Sequence, residues 1–328
     1  MMKSDPNYKG KKRFAFFGVL IFLFIIQTLI SVISCNLLFS HEFPTDWETQ
    51  ETAHFVLHFQ QKDHLLADYI MESAEEDYKR IIHHIGIDPG IKAMVYIAPD
   101  RDSYQALQPK GKKTHEWSIG VFYPHQNLIL LLSPKAQKET HPDLQQIMAH
   151  ELTHFILYTV TREKGIDLPI WLHEGLAMYE AKQWNWNYRR IMAETALTRS
   201  FLPLSSITNG FPSEKRLADR AYAQSISLIA YIINKYGVDY LNKLIQKLVE
   251  GSQTPEAFFR VFGITLEDFE NNWHMYLRRR YNWIPFLTSG FAIWFLISLL
   301  FLGIYVYKRR LAKKRIALWD IEDQIDSL

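Results

Sequence analysis

The chain has 328 residues, 48% of them hydrophobic and 14% aromatic, which is ample apolar material for a folded core. Its formal net charge of +2 is too balanced for nucleic-acid binding by charge alone. The single cysteine, Cys35, excludes a disulfide framework and a cysteine-ligated zinc site in the remainder of the chain.

Two uncharged apolar runs, Phe14 to Ser40 and Tyr281 to Tyr307, each exceed the roughly 20 residues that cross a bilayer as a helix. Lys3, Lys9, Lys11, Lys12 and Arg13 precede the first run, and Lys308, Arg309, Arg310, Lys313, Lys314 and Arg315 follow the second. The positive-inside rule therefore predicts a cytoplasmic N-terminus (1–13), a first span (14–40), an extracytoplasmic domain (41–280), a second span (281–307) and a cytoplasmic tail (308–328). Arg278, Arg279 and Arg280 lie on the outer side and weaken this bias, but long loops are translocated largely regardless of charge. An alternative for the first run is a cleaved signal, since Val32-Ile33-Ser34-Cys35 resembles a bacterial lipobox with Cys35 as the lipidated residue.

The outer segment shows no internal repeat, low-complexity tract or Gly/Ser linker. Ala53 to Phe59 alternates and predicts a strand, with His54 and His58 on one face as plain surface residues. Lys62 to Ile85 reads as an amphipathic helix burying Leu65, Leu66, Tyr69, Ile70, Ala74, Tyr78, Ile81 and Ile82. Ile91 to Ala98 is a second strand closed by Pro99-Asp100, and Lys110-Gly111-Lys112-Lys113 is a solvated basic loop. Trp117 to Leu132 predicts one or two strands about a turn at Pro124-His125-Gln126-Asn127.

The run from Pro142 to Val160 carries Leu144, Ile147, Met148, Leu152, Phe155 and Ile156 at three- and four-residue steps, the period of a helix. Within it stands His150-Glu151-Leu152-Thr153-His154. Residues four apart stack on one helical face, so His150 and His154 present two imidazoles to one point, an arrangement that suits zinc. Glu151 follows the first histidine and reaches a water at that point as a general base. Twenty residues after His154, Trp171-Leu172-His173-Glu174-Gly175-Leu176-Ala177-Met178-Tyr179 starts a second helix, with Asp167 and Pro169 fitting its N-terminus.

With these residues the chain resembles the gluzincin metallopeptidases, the group of thermolysin and the aminopeptidase N relatives. It looks most like the peptidase MA-like domain with its Trp-x-x-Glu-Gly-x-Ala pattern. The resemblance implies an α+β zincin fold: a small mixed sheet, the histidine helix, a glutamate helix and a helical C-terminal part. It implies one zinc held by His150, His154 and Glu174, with Glu151 as base. An edge strand ahead of the zinc helix binds substrate backbone in such enzymes, a role for Leu128 to Leu132 or Ile119 to Tyr123. Where the aminopeptidase branch has Gly-x-Met-Glu-Asn, this chain has Gly120-Val121-Phe122-Tyr123-Pro124, so aminopeptidase specificity is unsupported.

After the metal helices, Trp184 to Arg190 is rich in aromatics and asparagine, which fits a rim of the cleft or a membrane surface and, more simply, ordinary packing. Leu217 to Tyr236 is a third long helix ended by Gly237. Its Tyr222-Ala223-Gln224-Ser225 resembles the tyrosine helix of aminopeptidase-like gluzincins, which makes Tyr222 an oxyanion donor or, equally, a packed tyrosine. Tyr240 to Glu250, Thr254 to Phe262 and Leu266 to Arg280 complete the helical part. Thermolysin-like enzymes place an aspartate one turn after the glutamate ligand to orient the first histidine; here that position is Met178, which leaves the support of His150 unassigned. The expected function is a membrane-anchored zinc endopeptidase acting on peptide or protein substrates. The alternative is a non-catalytic receptor or assembly factor on a peptidase scaffold.

Overall fold

The computed structural model describes residues 46–111, 114, 118–136, 143–282 and 290–326. The expected first span, the N-terminal basic cluster, Cys35 and part of the basic loop near 112 lie outside these residues. Nearly all described residues belong to one unit, Thr49–Leu328.

The elements run β1 (Trp47–Glu51), β2 (Phe55–Gln60), α1 (His64–Ile85), β3 (Ala93–Ala98), α2 (Arg101–Ala106), β4 (Gly120–Tyr123), β5 (Leu128–Leu132), α3 (Leu144–Arg162), α4 (Ile170–Glu180), α5 (Trp186–Thr198), α6 (Lys215–Tyr236), α7 (Val238–Val249), α8 (Thr254–Phe262), α9 (Leu266–Tyr281) and α10 (Gly290–Asp326). The fold is mixed α+β, a small sheet with mostly helical content around it, as the sequence implies.

The five strands pair in the order β1-β2-β3-β5-β4. β2 with β3 and β3 with β5 run parallel, with Leu57 opposite Val95 and Val95 opposite Ile129. β4 closes one edge antiparallel to β5, with Phe122 opposite Ile129. All five residues of β5 are buried, as a central strand covered on both faces requires. Of the two segments considered for an edge strand, β4 lies at the sheet edge, and β5 has neighbours on both sides. Asn127, at φ 50°, takes the left-handed corner between β4 and β5 that asparagine tolerates.

α1 buries Ala67, Ile70, Met71, Ala74, Tyr78, Ile81 and Ile85, spaced at three and four residues. Leu65 and Tyr69 do not join them: they are 85% and 54% exposed, on the opposite side of that stripe. Hydrophobic character alone misplaced them. Asp100 does more than close a strand. Its carboxylate accepts from Ser103 N–H at 2.8 Å and caps α2, a six-residue helix that periodicity does not reveal. α5 is likewise absent from the sequence reading. Asn185 caps it by accepting from Tyr188 N–H, while Trp186 stands 81% exposed instead of packed.

His54 and His58 hold no second metal cluster among the described residues. His54 pairs with Glu75 of α1 at 2.6 Å and stacks on Tyr78, and His58 stacks on Tyr96. Glu180 at the end of α4 is fully buried. It accepts from Arg80 Nε at 2.9 Å, pairs with His84 at 2.5 Å, and its carbonyl accepts a further Arg80 bond at 2.8 Å. Buried charge this well satisfied fixes geometry more than it adds stability, and it locks α4 against α1.

From Gly290, within the second apolar run, α10 continues well into the expected tail. Among the described residues no helix is long and apolar enough to cross a membrane. The described apolar side chains of α10 begin at Trp294 and meet Lys308, Arg309 and Arg310 after less than a bilayer's length.

Candidate metal centre

α3 starts where Asp143 accepts from Gln145 N–H at 3.0 Å. It buries Leu144, Met148, Leu152, Phe155 and Ile156 against the sheet and α1. That leaves Glu151 and His154 facing a cleft, with His150 one turn before His154 on the same helix. α4 begins after Pro169 and packs Trp171, Leu172 and Leu176 inward, which turns His173 and Glu174 toward the same cleft. Asp167 does not cap this helix; Pro169 occupies the cap position and no side chain bonds there.

One donor atom from each of His150, His154 and Glu174 lies within 4.8 Å of the others. The Nε2 atoms of the two histidines are 3.1 Å apart, and Glu174 places a carboxylate oxygen 3.9 Å from each. Their side chains keep 18%, 14% and 24% exposure, and His154 and Glu174 line the cleft. The cleft holds about 330 Å³ and is lined by Gly120, Val121 and Phe122 of β4, Glu151, His154 and Glu174, among others.

The electrostatics follow from burial. His150 is pushed down to about 4, chiefly by burial, with Gln183 working against the drop. Burial also holds His154 well below the ordinary histidine value, helped by the neighbouring His150 and His173. Both imidazoles are therefore neutral and keep a free lone pair at pH 7. Burial lifts Glu174 to about 7. Glu151 rises to about 8 through burial and the Glu174 carboxylate, while the Phe122 backbone N–H opposes the rise. Two neutral imidazoles and the Glu174 carboxyl are a donor set that a divalent cation fits: it takes one lone pair from each and relieves the crowding of Glu174 by Glu151.

The supports for these groups were not evident from the chain. Met178 is buried and offers no polar atom to His150. Gln183, in the turn after α4, is the side chain that acts on that histidine, although His150 Nδ1 has no partner within strict hydrogen-bond geometry. His154 Nδ1 meets His173 Nδ1 at 2.7 Å. Tyr222 does not line the cleft and bonds to none of the three donor residues; it packs edge-on against Phe211. It feels the Glu174 carboxylate all the same, and burial together with that charge pushes it up to about 12, so its hydroxyl stays protonated. Tyr188 at the start of α5 is raised by burial, Asp219 and Glu174, and so joins Tyr222 near the centre. The sequence signal for Tyr188 is the aromatic run Trp184 to Arg190, which fits a cleft rim as well as packing.

The sheet edge, the crossed helices and the His-His-Glu centre define a peptidase-like domain, and the chain belongs to the Peptidase MA superfamily, whose domain matches residues 73–279. It is also 24% identical over 166 residues to "Uncharacterized protein YhcO" of Bacillus subtilis (strain 168), an alignment covering 47% of this chain. The chain spans about half the length of that curated relative, 49%.

Proposed function

We propose that this chain is a zinc-dependent endopeptidase of the gluzincin type, anchored in a membrane. The observation that carries the reading is the convergence of His150, His154 and Glu174, with Glu151 on the next position of the same helix and a strand edge across the cleft.

A zinc ion held by His150, His154 and Glu174 would act as a Lewis acid and bring the pKa of a water near neutrality. Glu151 takes that water's proton and passes it to the leaving amine. The raised affinity of Glu151 for protons suits the second task, and the Phe122 N–H holds its carboxylate toward the strand. The exposed edge of β4 receives an extended substrate by strand addition, which aligns a peptide bond across the cleft. Tyr222 is assigned as donor to the developing oxyanion, a role that requires its protonated hydroxyl to turn from Phe211 into the cleft, where such an interaction is worth about 3 kcal/mol.

The membrane part of the proposal rests on α10 and the flanking charges. Trp294, Phe295, Leu296, Leu300, Phe301 and Leu302 are all exposed, so the helix is apolar around its circumference and meets a basic cluster at Lys308. The rest of the second apolar run, beyond Tyr281 at the end of α9, is then read as the second span and residues 14–40 as the first, with the domain outside and both termini in the cytoplasm.

The full-length protein in detergent should hold one zinc per chain and hydrolyse an unstructured protein. His154→Ala should lose most of the metal, and Glu151→Gln should keep metal and fold while hydrolysis falls by at least about 10²-fold. Full zinc occupancy in His154→Ala sinks the ligand assignment. Undiminished hydrolysis by Glu151→Gln sinks the mechanism. Zinc binding with no hydrolysis by any form would favour a receptor on a peptidase scaffold.

A further inference from the structure

We propose that His173 is a positioning residue that sets the tautomer and ring orientation of His154. This inference rests on reading His150, His154 and Glu174 as metal ligands.

The Nδ1 atoms of His154 and His173 are 2.7 Å apart, and the two ring planes lie within 15° of each other with centroids 4.7 Å apart. A face-to-face stack cannot bring two ring nitrogens to 2.7 Å, because the whole rings would overlap at that spacing. The centroid separation is close to the nitrogen separation plus the two ring radii, so the rings meet edge to edge, near one plane. That is the geometry of an in-plane N–H···N hydrogen bond.

One hydrogen serves this contact, and the centre decides who carries it. His154 Nε2 faces His150 Nε2 at 3.1 Å and Glu174 at 3.9 Å. For Nε2 to offer a lone pair there, the proton of a neutral His154 must sit on Nδ1. His154 Nδ1–H then donates, His173 Nδ1 accepts, and the proton of His173 sits on its own Nε2. His173 is suited to this task by its place. It occupies the first turn of α4, its N–H bonded to Pro169 O at 3.0 Å, directly before the ligand Glu174. One helical turn thus delivers both a ligand and the partner that orients another ligand.

Two substitutions separate hydrogen bonding from packing. His173→Asn retains a side-chain oxygen that accepts from His154 Nδ1–H, without the ring. His173→Phe keeps a ring of similar shape with no acceptor. Zinc dissociation constants would be measured on the full chain by chelator competition, alongside the melting midpoint of each metal-free protein. The expected result is zinc binding about 10- to 100-fold weaker in His173→Phe, and within about threefold of the parent in His173→Asn. Binding by His173→Phe as tight as, or tighter than, binding by His173→Asn overturns the proposal and leaves His173 as a packing residue. A parent protein that binds no zinc overturns the metal-centre reading itself, which is a distinct outcome.

Discussion

Gly175→Ala is the most exacting test of how this centre is built. Gly175 follows Glu174, the proposed ligand, on α4 and sits where that helix crosses α6. A Cβ there would lie 2.5 Å from the carbonyl oxygen of Ser225, 2.7 Å from its carbonyl carbon and 3.1 Å from Ile229 Cγ1. The first two are backbone atoms inside a helix and cannot swing aside. The helices must separate by about 0.5–1 Å before those contacts become ordinary ones. Overpacking against rigid atoms costs about 3 kcal/mol, and the better helix propensity of alanine returns about 1 kcal/mol, leaving a net loss of about 2 kcal/mol. For a domain of this size that lowers the melting midpoint by roughly 4–8 °C. The separation also carries Glu174 away from His150 and His154 and moves Tyr222 on α6, and misplacement on this scale costs about 10²-fold in rate. Thermal unfolding of metal-free protein, zinc affinity and hydrolysis would be compared with Gly210→Ala, where a Cβ meets nothing within 4 Å and the midpoint should stay within about 2 °C. If Gly175→Ala matches the parent in midpoint and zinc affinity, the close crossing of α4 and α6 is wrong, and so is the account of how Glu174 is held.

Three further outcomes are expected. Tyr222→Phe should retain full zinc and lower kcat by at least about tenfold, a smaller loss than that of Glu151→Gln; unchanged kcat would return Tyr222 to a packing role. A carboxyl whose folded-state pKa is raised contributes stability that is complete below its unfolded value of 4.5 and is lost as pH rises through its folded value, here about 7 for Glu174 and about 8 for Glu151. The buried histidines run the other way and titrate below 6.5, so between about pH 6.5 and 8 the midpoint of metal-free protein should fall with rising pH, and Glu151→Gln should flatten the slope; a midpoint that rises across that window refutes the burial argument. In a Cys35→Ser background, cysteines placed in the two tails should resist a membrane-impermeant thiol reagent in intact cells while Lys164→Cys labels, and the reverse pattern would invert the topology.

What the chain alone determined is what short-range periodicity and motif chemistry can carry. His150 and His154 four apart on a strongly periodic helix must share a face, whatever else the fold does, and Glu151 must stand beside them. The Gly237 stop, the turn at Asn127 and the helices from Thr254 and Leu266 were legible because their caps and breakers are local. What only the tertiary structure decided involves groups far apart in sequence or weak in pattern. Local alternation cannot tell an edge strand from a central one, so β4 and β5 were interchangeable until pairing put β5 between β3 and β4. Leu65 and Tyr69 are hydrophobic residues that the packing partner of α1 does not reach. The supports of the ligands are the clearest case. His154 meets His173 of another helix, Gln183 from the turn after α4 opposes the drop in the proton affinity of His150, and α4 is tied to Arg80 and His84, about a hundred residues earlier in the chain. No spacing rule encodes such contacts, because they arise where two helices cross, and only the packed core sets where that crossing falls.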